Sequence, residues 1–236
     1  MTSKRPNGLP KFSNLPLGKG DPPYSAWGLY GMDDGLGTLN RLTDDLVLKA
    51  AKQEIQTGIR ISLNWPLDAQ SKPLFGRQGF HKTIYHRAPR IDVWTFNTQS
   101  SSQWDGLRHF AYQKEQKFNN GVSMEDIHGE HKSDVNGIHA WAEKGIVGRG
   151  VLLGFDAWRH ANNIPYEPFR TGSITLNQLK AVAAAQGTDI KFGDVLLIRS
   201  GYVRTFGGLS EAEIEVNASE KPPLLSGEEQ SEDVLE

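Results

Sequence analysis

Hydrophobic positions change period several times along this chain, and each change marks a predicted element. Leu46, Val47, Ala50, Ala51 and Ile55 recur at helical spacing behind Thr43, a capping residue, with Asp44 and Asp45 in the first turn and Gly58 as the predicted stop. Directly afterwards Ile59, Ile61, Leu63 and Trp65 alternate with Arg60, Ser62 and Asn64, the period of a half-buried strand that Pro66 ends. Residues 91–96 suit another strand, and residues 138–144 a short helix closed by Gly145. The apolar run 151–155 is short enough for a buried strand. Thr175 caps an Ala-rich helix over 176–186 that Gly187 ends, and a strand over 195–199 follows the turn at Gly193 and Asp194. Residues 67–89 show little periodicity and are expected to form a long loop, the kind of segment that carries function. The first 26 residues, rich in Pro, Gly, Ser and Lys, read as an extended arm. Such a loose mixture predicts an α/β or α+β domain without the regular period of a doubly wound sheet.

Composition narrows the chemistry. A chain of 236 residues suits one large domain, able to bury roughly 70 to 75% of its unfolded surface. With no cysteine there is no disulfide, thiolate zinc site or Cys nucleophile, so a metal would need His, carboxylate, amide or water ligands. No apolar run approaches a membrane span and no signal peptide is recognisable, which predicts a cytoplasmic protein without a membrane partner. Net charge is −2, yet residues 210–236 hold nine acids against Lys221, a net of −8, leaving +6 spread over residues 1–209. Lys and Arg do not cluster there, so nucleic acid is not an expected partner. Gly28, Gly31, Gly35 and Gly37 do not match a dinucleotide loop, and no nucleotide cofactor is expected. The Ser100 to Ser102 run lacks the Gly-x-Ser-x-Gly setting of a hydrolase nucleophile.

All seven histidines fall between His81 and His160, with four of the six tryptophans. The densest segment is TQSSSQWDGLRHFAYQ, residues 98–113, where Gln103 and Asp105 project to one face of an extended chain. A helical turn after Gly106 would bring His109 back toward Asp105, a pair able to hold a metal or tune a general base, although such a spacing is more often a plain surface pair. Glu125, Asp126, His128, Glu130, His131 and Asp134 form a second candidate metal cluster, weakened by Gly129 and common in solvated loops. His139, two residues before Trp141, reads as a packed histidine. His81 and His86 flank Tyr85 in the expected loop, and His86 is a candidate substrate contact.

The segment with Gln-Trp-Asp-Gly at its centre resembles the signature of the metal-dependent cyclase family, which includes bacterial kynurenine formamidases and isatin hydrolases. WGLYGMDDGLGTLNRLT (residues 27–43), GIHAWAEKGIVGRGVLLGFD (137–156), GDVLLIRSGY (193–202) and EQSEDVL (229–235) resemble that family's blocks in order. The resemblance implies a swivelling β/β/α-type fold, a barrel-like and mostly antiparallel sheet ringed by helices, and a homodimer or higher oligomer. It divides the chain into an arm (1–26), a cyclase-like domain (27–209) and an acidic segment (210–236) that begins a further C-terminal part found in other members. Where the family pattern reads His-x-Gly-Thr-His-x-Asp-x-Pro-x-His, the two ligand histidines fall on Gln99 and Gln103, the ligand Asp on Asp105 and the catalytic His on His109. The resemblance thus implies manganese, zinc or magnesium at Asp105 and Gln103, although an amide oxygen suits a hard cation better than zinc. In that reading a metal-activated water attacks an amide, formamide or lactam C–N bond of a small aromatic or carbonyl substrate, or the enzyme closes or opens its ring. His109 moves the proton, Gln103 orients the water or a carbonyl, Gln99 touches substrate, and Trp104 and Tyr112 are aromatic walls, with core burial equally open for Trp104. Loss of both ligand histidines supports a second expectation, a metal-free cyclase, dehydratase or isomerase of a secondary-metabolite pathway. A third is a catalytically silent binding subunit.

Overall fold

The computed structural model describes residues 7–85 and 91–236, and of Ile91 only the backbone. Its helices are α1 (Asp44–Glu54), α2 (Met124–His128), α3 (His139–Lys144), α4 (Phe155–Ala161), α5 (Leu176–Gln186), α6 (Tyr202–Phe206), α7 (Glu211–Ser219) and α8 (Glu232–Leu235). Its strands are β1 (His81–Tyr85), β2 (Ile91–Thr95), β3 (Gly150–Leu153), β4 (Ser173–Ile174), β5 (Val195–Ile198) and β6 (Gly227–Glu228). They pair two by two: β1 with β2 antiparallel, β3 with β5 and β4 with β6 parallel. This is a mixed α/β architecture, and among the described residues no barrel closes and parallel pairs outnumber antiparallel ones.

The main core lies where α5 and α4 cover one face of the β3/β5 pair. Val151, Leu153, Phe155, Ile174, Leu179 and Val182 are its buried members, with Trp158, Tyr166 and Ile198 packed against them. Residues 151–155 were expected to form one buried strand, but the segment is split. Val151 and Leu153 point inward while Leu152 is exposed, because only one face of the pair is covered, and Gly154 passes the chain into α4 at Phe155. The α5 helix starts and stops as its sequence predicts: Thr175 and Gln178 form a reciprocal capping box, and Gly187 ends it in the left-handed region at φ 63°. Its last residue, Gln186, clamps the helix to the strand, accepting from Gly154 N–H at 2.7 Å and donating to Leu152 C=O at 2.8 Å.

A second core joins parts far apart in sequence. Leu74, Phe169 and Phe206 are buried together, with Trp65, Tyr202, Ile214 and Ala218 packed around them. Leu74 belongs to a 3-10 turn inside the expected long loop, which also contains β1, so residues 74–76 and 81–85 of that segment hold regular structure. Ile214 and Ala218 come from α7, within the acidic segment, and β6 and α8 follow it, Glu236 accepting from Phe12 N–H at 2.7 Å.

The expected strand over residues 59–65 does not form. Among the described residues nothing pairs with it, and Ile59, Ile61 and Leu63 are 76%, 79% and 69% exposed. Alternation gives a chain two faces, but a strand also needs a neighbour for its N–H and C=O groups. Ile84, Val93 and Trp94 of the β1/β2 hairpin are likewise exposed. In keeping with this, the surface of 16473 Å² exceeds the roughly 10,600 Å² typical of a compact monomer of this mass. No helix among the described residues is long and apolar enough to cross a membrane.

These packing assignments have measurable consequences. Ile174→Ala should cost about 2–5 kcal/mol of stability in urea unfolding, since it opens a cavity in the main core. Ile214→Asp should lower the thermal midpoint through the second core, whereas Ile61→Asp, on an exposed side chain, should change stability by no more than about 0.5 kcal/mol.

Candidate functional site

The site is built on a loop made rigid by short polar side chains. Asn97 folds the chain back on itself: its side chain accepts from Gln99 N–H at 2.8 Å, and its C=O accepts from the N–H and hydroxyl of Ser100. Ser101 donates to the C=O groups of Trp65 and Pro66, and the hydroxyl of Ser102 accepts from Trp65 N–H at 2.7 Å. Ser101 and Ser102 therefore anchor the loop to the segment that carries Trp65, while Ser100 closes the turn at Asn97, structural uses that explain the run. Arg77, lying over the Phe75 ring, donates to Gln99 C=O at 2.9 Å, so the backbone of Gln99 is held on both sides.

His109 returns to Asp105 through a single hydrogen-bonded turn after Gly106, without a helix: His109 N–H donates to Gly106 C=O at 2.9 Å. Arg108 pins this turn by donating to the C=O groups of Val135 and Ser133, both at 2.7 Å. At Gly106 a Cβ would lie 3.1 Å from Ile138 Cδ1, so a larger residue there would have to displace that exposed side chain slightly. The result is a chain of four side chains. Gln99 Nε2 is 3.0 Å from His109 Nδ1, the same nitrogen is 3.3 Å from Asp105 Oδ1, and Gln103 Nε2 donates to Asp105 Oδ2 at 3.2 Å. The Asp105 and His109 side chains are both partly open to solvent.

Asp105 also lines a cleft of about 570 Å³ together with Trp104, Arg41, Trp141, Lys191 and Phe192. Trp104 is 61% exposed, which excludes the alternative of core burial for it. Arg41 is oriented by Tyr30, whose hydroxyl accepts from its Nε at 2.9 Å, and Trp141 by a hydrogen bond from its ring N–H to Gly35 C=O. Arg41, Trp141 and Phe192 were not singled out by sequence reasoning. They come from three separate segments, two of them blocks that carried the family resemblance, so order along the chain was the only available signal.

Other candidates are dispersed. Tyr112 packs edge-on against Trp27, and burial, followed by the charges of Glu115 and Asp21, raises its pKa; it does not line the cleft. His86 lies outside the described residues, and His81 is exposed on β1. His139, expected to pack, is exposed in the first turn of α3 because Trp141 takes the inward position. In the acidic cluster Ser123 and Asp126 form a capping box for α2, and the hydrogen bonds from Ser123 lower the pKa of Asp126. Among the described residues no three His, Asp or Glu side chains converge on a point where a metal could be held. Around Asp105 the remaining donors are amides engaged with Asp105 and His109, so this donor set does not fit a zinc or manganese centre built on two imidazoles and a carboxylate.

Comparison with known proteins supports the blocks at 98–113, 137–156 and 193–202. The chain resembles the crystal structure of a novel cyclase at 27% identity with a TM-score of 0.70, covering 81% of this chain and 67% of that one. No curated protein matches it. The family model described as "Putative cyclase" matches residues 52–229, three quarters of the sequence and the whole of the 97–109 loop. The chain belongs to the Cyclase family.

Proposed function

We propose that this chain catalyses a proton-transfer reaction, the closing or opening of a ring or the addition or removal of water, on a small aromatic carbonyl compound. The observation that carries the reading is the placement of Asp105: one carboxylate both contacts His109 and lines the aromatic cleft beside Trp104. Cyclase family membership supports an enzyme of this general class. A flat, conjugated substrate suits the faces of Trp104 and Trp141, and Arg41 and Lys191 supply positive charge for a carbonyl or carboxylate oxygen.

His109 does not itself line the cleft but contacts Asp105, which does; in this reading it performs the chemistry at the cleft's edge through Nε2, since Nδ1 faces Gln99 and Asp105. Nε2 removes a proton from carbon next to the carbonyl, and the imidazolium so formed is stabilised by the Asp105 carboxylate. The same proton then passes to the oxygen or ring atom that gains it, which restores neutral imidazole. Hydrolysis of a C–N bond by a metal-bound hydroxide has less support, because glutamines stand where that mechanism needs histidine ligands.

The reading is tested by incubating the protein in deuterated water with a panel of small aromatic ketones, aldehydes and carboxylates and following exchange at the carbon next to the carbonyl by NMR. Exchange with at least one compound is expected, and His109→Ala should slow it by about 10² to 10⁴. Full exchange by His109→Ala would remove the proposal. Trp104→Ala should raise KM several-fold with a smaller change in kcat, because it removes a wall that substrate and transition state touch equally.

A further inference from the structure

Two partners of opposite character meet at one atom. His109 Nδ1 faces the Gln99 side-chain amide at 3.0 Å and the Asp105 carboxylate at 3.3 Å. With the amide nitrogen turned toward it, a protonated Nδ1 would set donor against donor, while a bare Nδ1 would turn its lone pair on a carboxylate. Only one arrangement satisfies all three groups: Nδ1 carries the proton, Gln99 presents Oε1 to accept it, and Asp105 lies beside the pair at ion-pair distance. A half-turn of the terminal torsion exchanges Oε1 and Nε2 without moving the rest of the residue, whose N–H and C=O are fixed by Asn97 and Arg77. The negative charge of Asp105 favours a proton on Nδ1, but at 3.3 Å it makes no directed hydrogen bond there, so the directed acceptor is the carbonyl of Gln99. Gln103 completes the arrangement by donating to Oδ2, which keeps Oδ1 turned toward His109.

We propose that Gln99 is a positioning residue that sets the tautomer of His109: its carbonyl accepts the Nδ1 proton beside the Asp105 charge and leaves Nε2 as a bare, basic nitrogen. The two glutamines in the positions of metal-binding histidines thus serve the acid–base pair directly. With the amide in the opposite orientation Nε2 would carry the proton and His109 could only donate a hydrogen bond, so Gln99 decides whether the imidazole is a base. The inference rests on the reading of His109 as the proton carrier, but its test requires no turnover, so the two can fail separately.

Nitrogen-15 NMR of the full chain, labelled at histidine and recorded at alkaline pH, reads the tautomer directly, with His109→Ala used for assignment. The Nδ1–H form should dominate in the parent chain. Gln99→Leu, which keeps bulk but removes the carbonyl, should shift the population toward Nε2–H, and Gln99→Glu should restore Nδ1–H. A parent chain in the Nε2–H form would overturn the proposal, as would a Gln99→Leu variant with an unchanged tautomer. If Gln99→Leu does not fold, the parent spectrum and Gln99→Glu decide the matter alone.

Discussion

The carboxylate of Asp156 is fully buried beyond the ends of β3 and β5, and the joining of the two cores depends on how it is neutralised. Arg159 reaches Oδ1 from within α4 at 3.0 Å, and Arg204 approaches Oδ2 from α6 at 3.2 Å as an ion pair without a directed hydrogen bond. The same residue extends the strand pair, its N–H donating to Arg199 C=O just after Arg199 N–H donates to Leu153 C=O. A Cβ at position 201 would come within 2.5 Å of Oδ1, so the chain enters α6 through Gly201 at φ 99°. One residue therefore ties α4, which builds the main core, to α6, which supplies Tyr202 and Phe206 to the second. Removing Asp156 would leave the nearly buried Arg159 without its carboxylate, a loss that typically costs about 3–5 kcal/mol, whereas Arg204 is half exposed and keeps its water.

The candidate site follows the opposite physical rule. It lies on a loop that is partly open to solvent, and its order comes from backbone hydrogen bonds made by Asn97, the serines, Arg77 and Arg108. Such a loop can exchange the residues it presents without disturbing the cores, which fits a Cyclase family chain whose loop holds Gln99 and Gln103 beside Asp105 and His109. Arg149 gives the cleft a firm edge, donating to Glu54 of α1 and to Asp194 at the entrance of β5, and Asp194 lines the cleft with Lys191 and Phe192.

Local signals decided what the sequence could decide. Thr43, Thr175, Gly145 and Gly187 mark helix ends because capping involves neighbours within one turn, and the spacing of Asp105 and His109 foretold their meeting for the same reason. The family resemblance was legible in blocks spread over the chain, and the family model shows the Cyclase family over residues 52–229. By contrast, the alternation over residues 59–65 was read correctly as a pattern and wrongly as a strand, since the partner that a strand requires is a property of the assembled fold. The order within residues 67–89, the docking of α7 and the aromatic cleft were equally decided by tertiary structure: Leu74, Phe169, Phe206 and Ile214, or Arg41, Trp104 and Phe192, meet across separations that no local rule reaches. The sequence by itself determined the capped helices, the family and the Asp–His pair, all set by short-range stereochemistry or by residue identity. Only the tertiary structure decided which alternating segment would find a partner and which walls would face the pair, because burial and pairing are settled between elements and not within them.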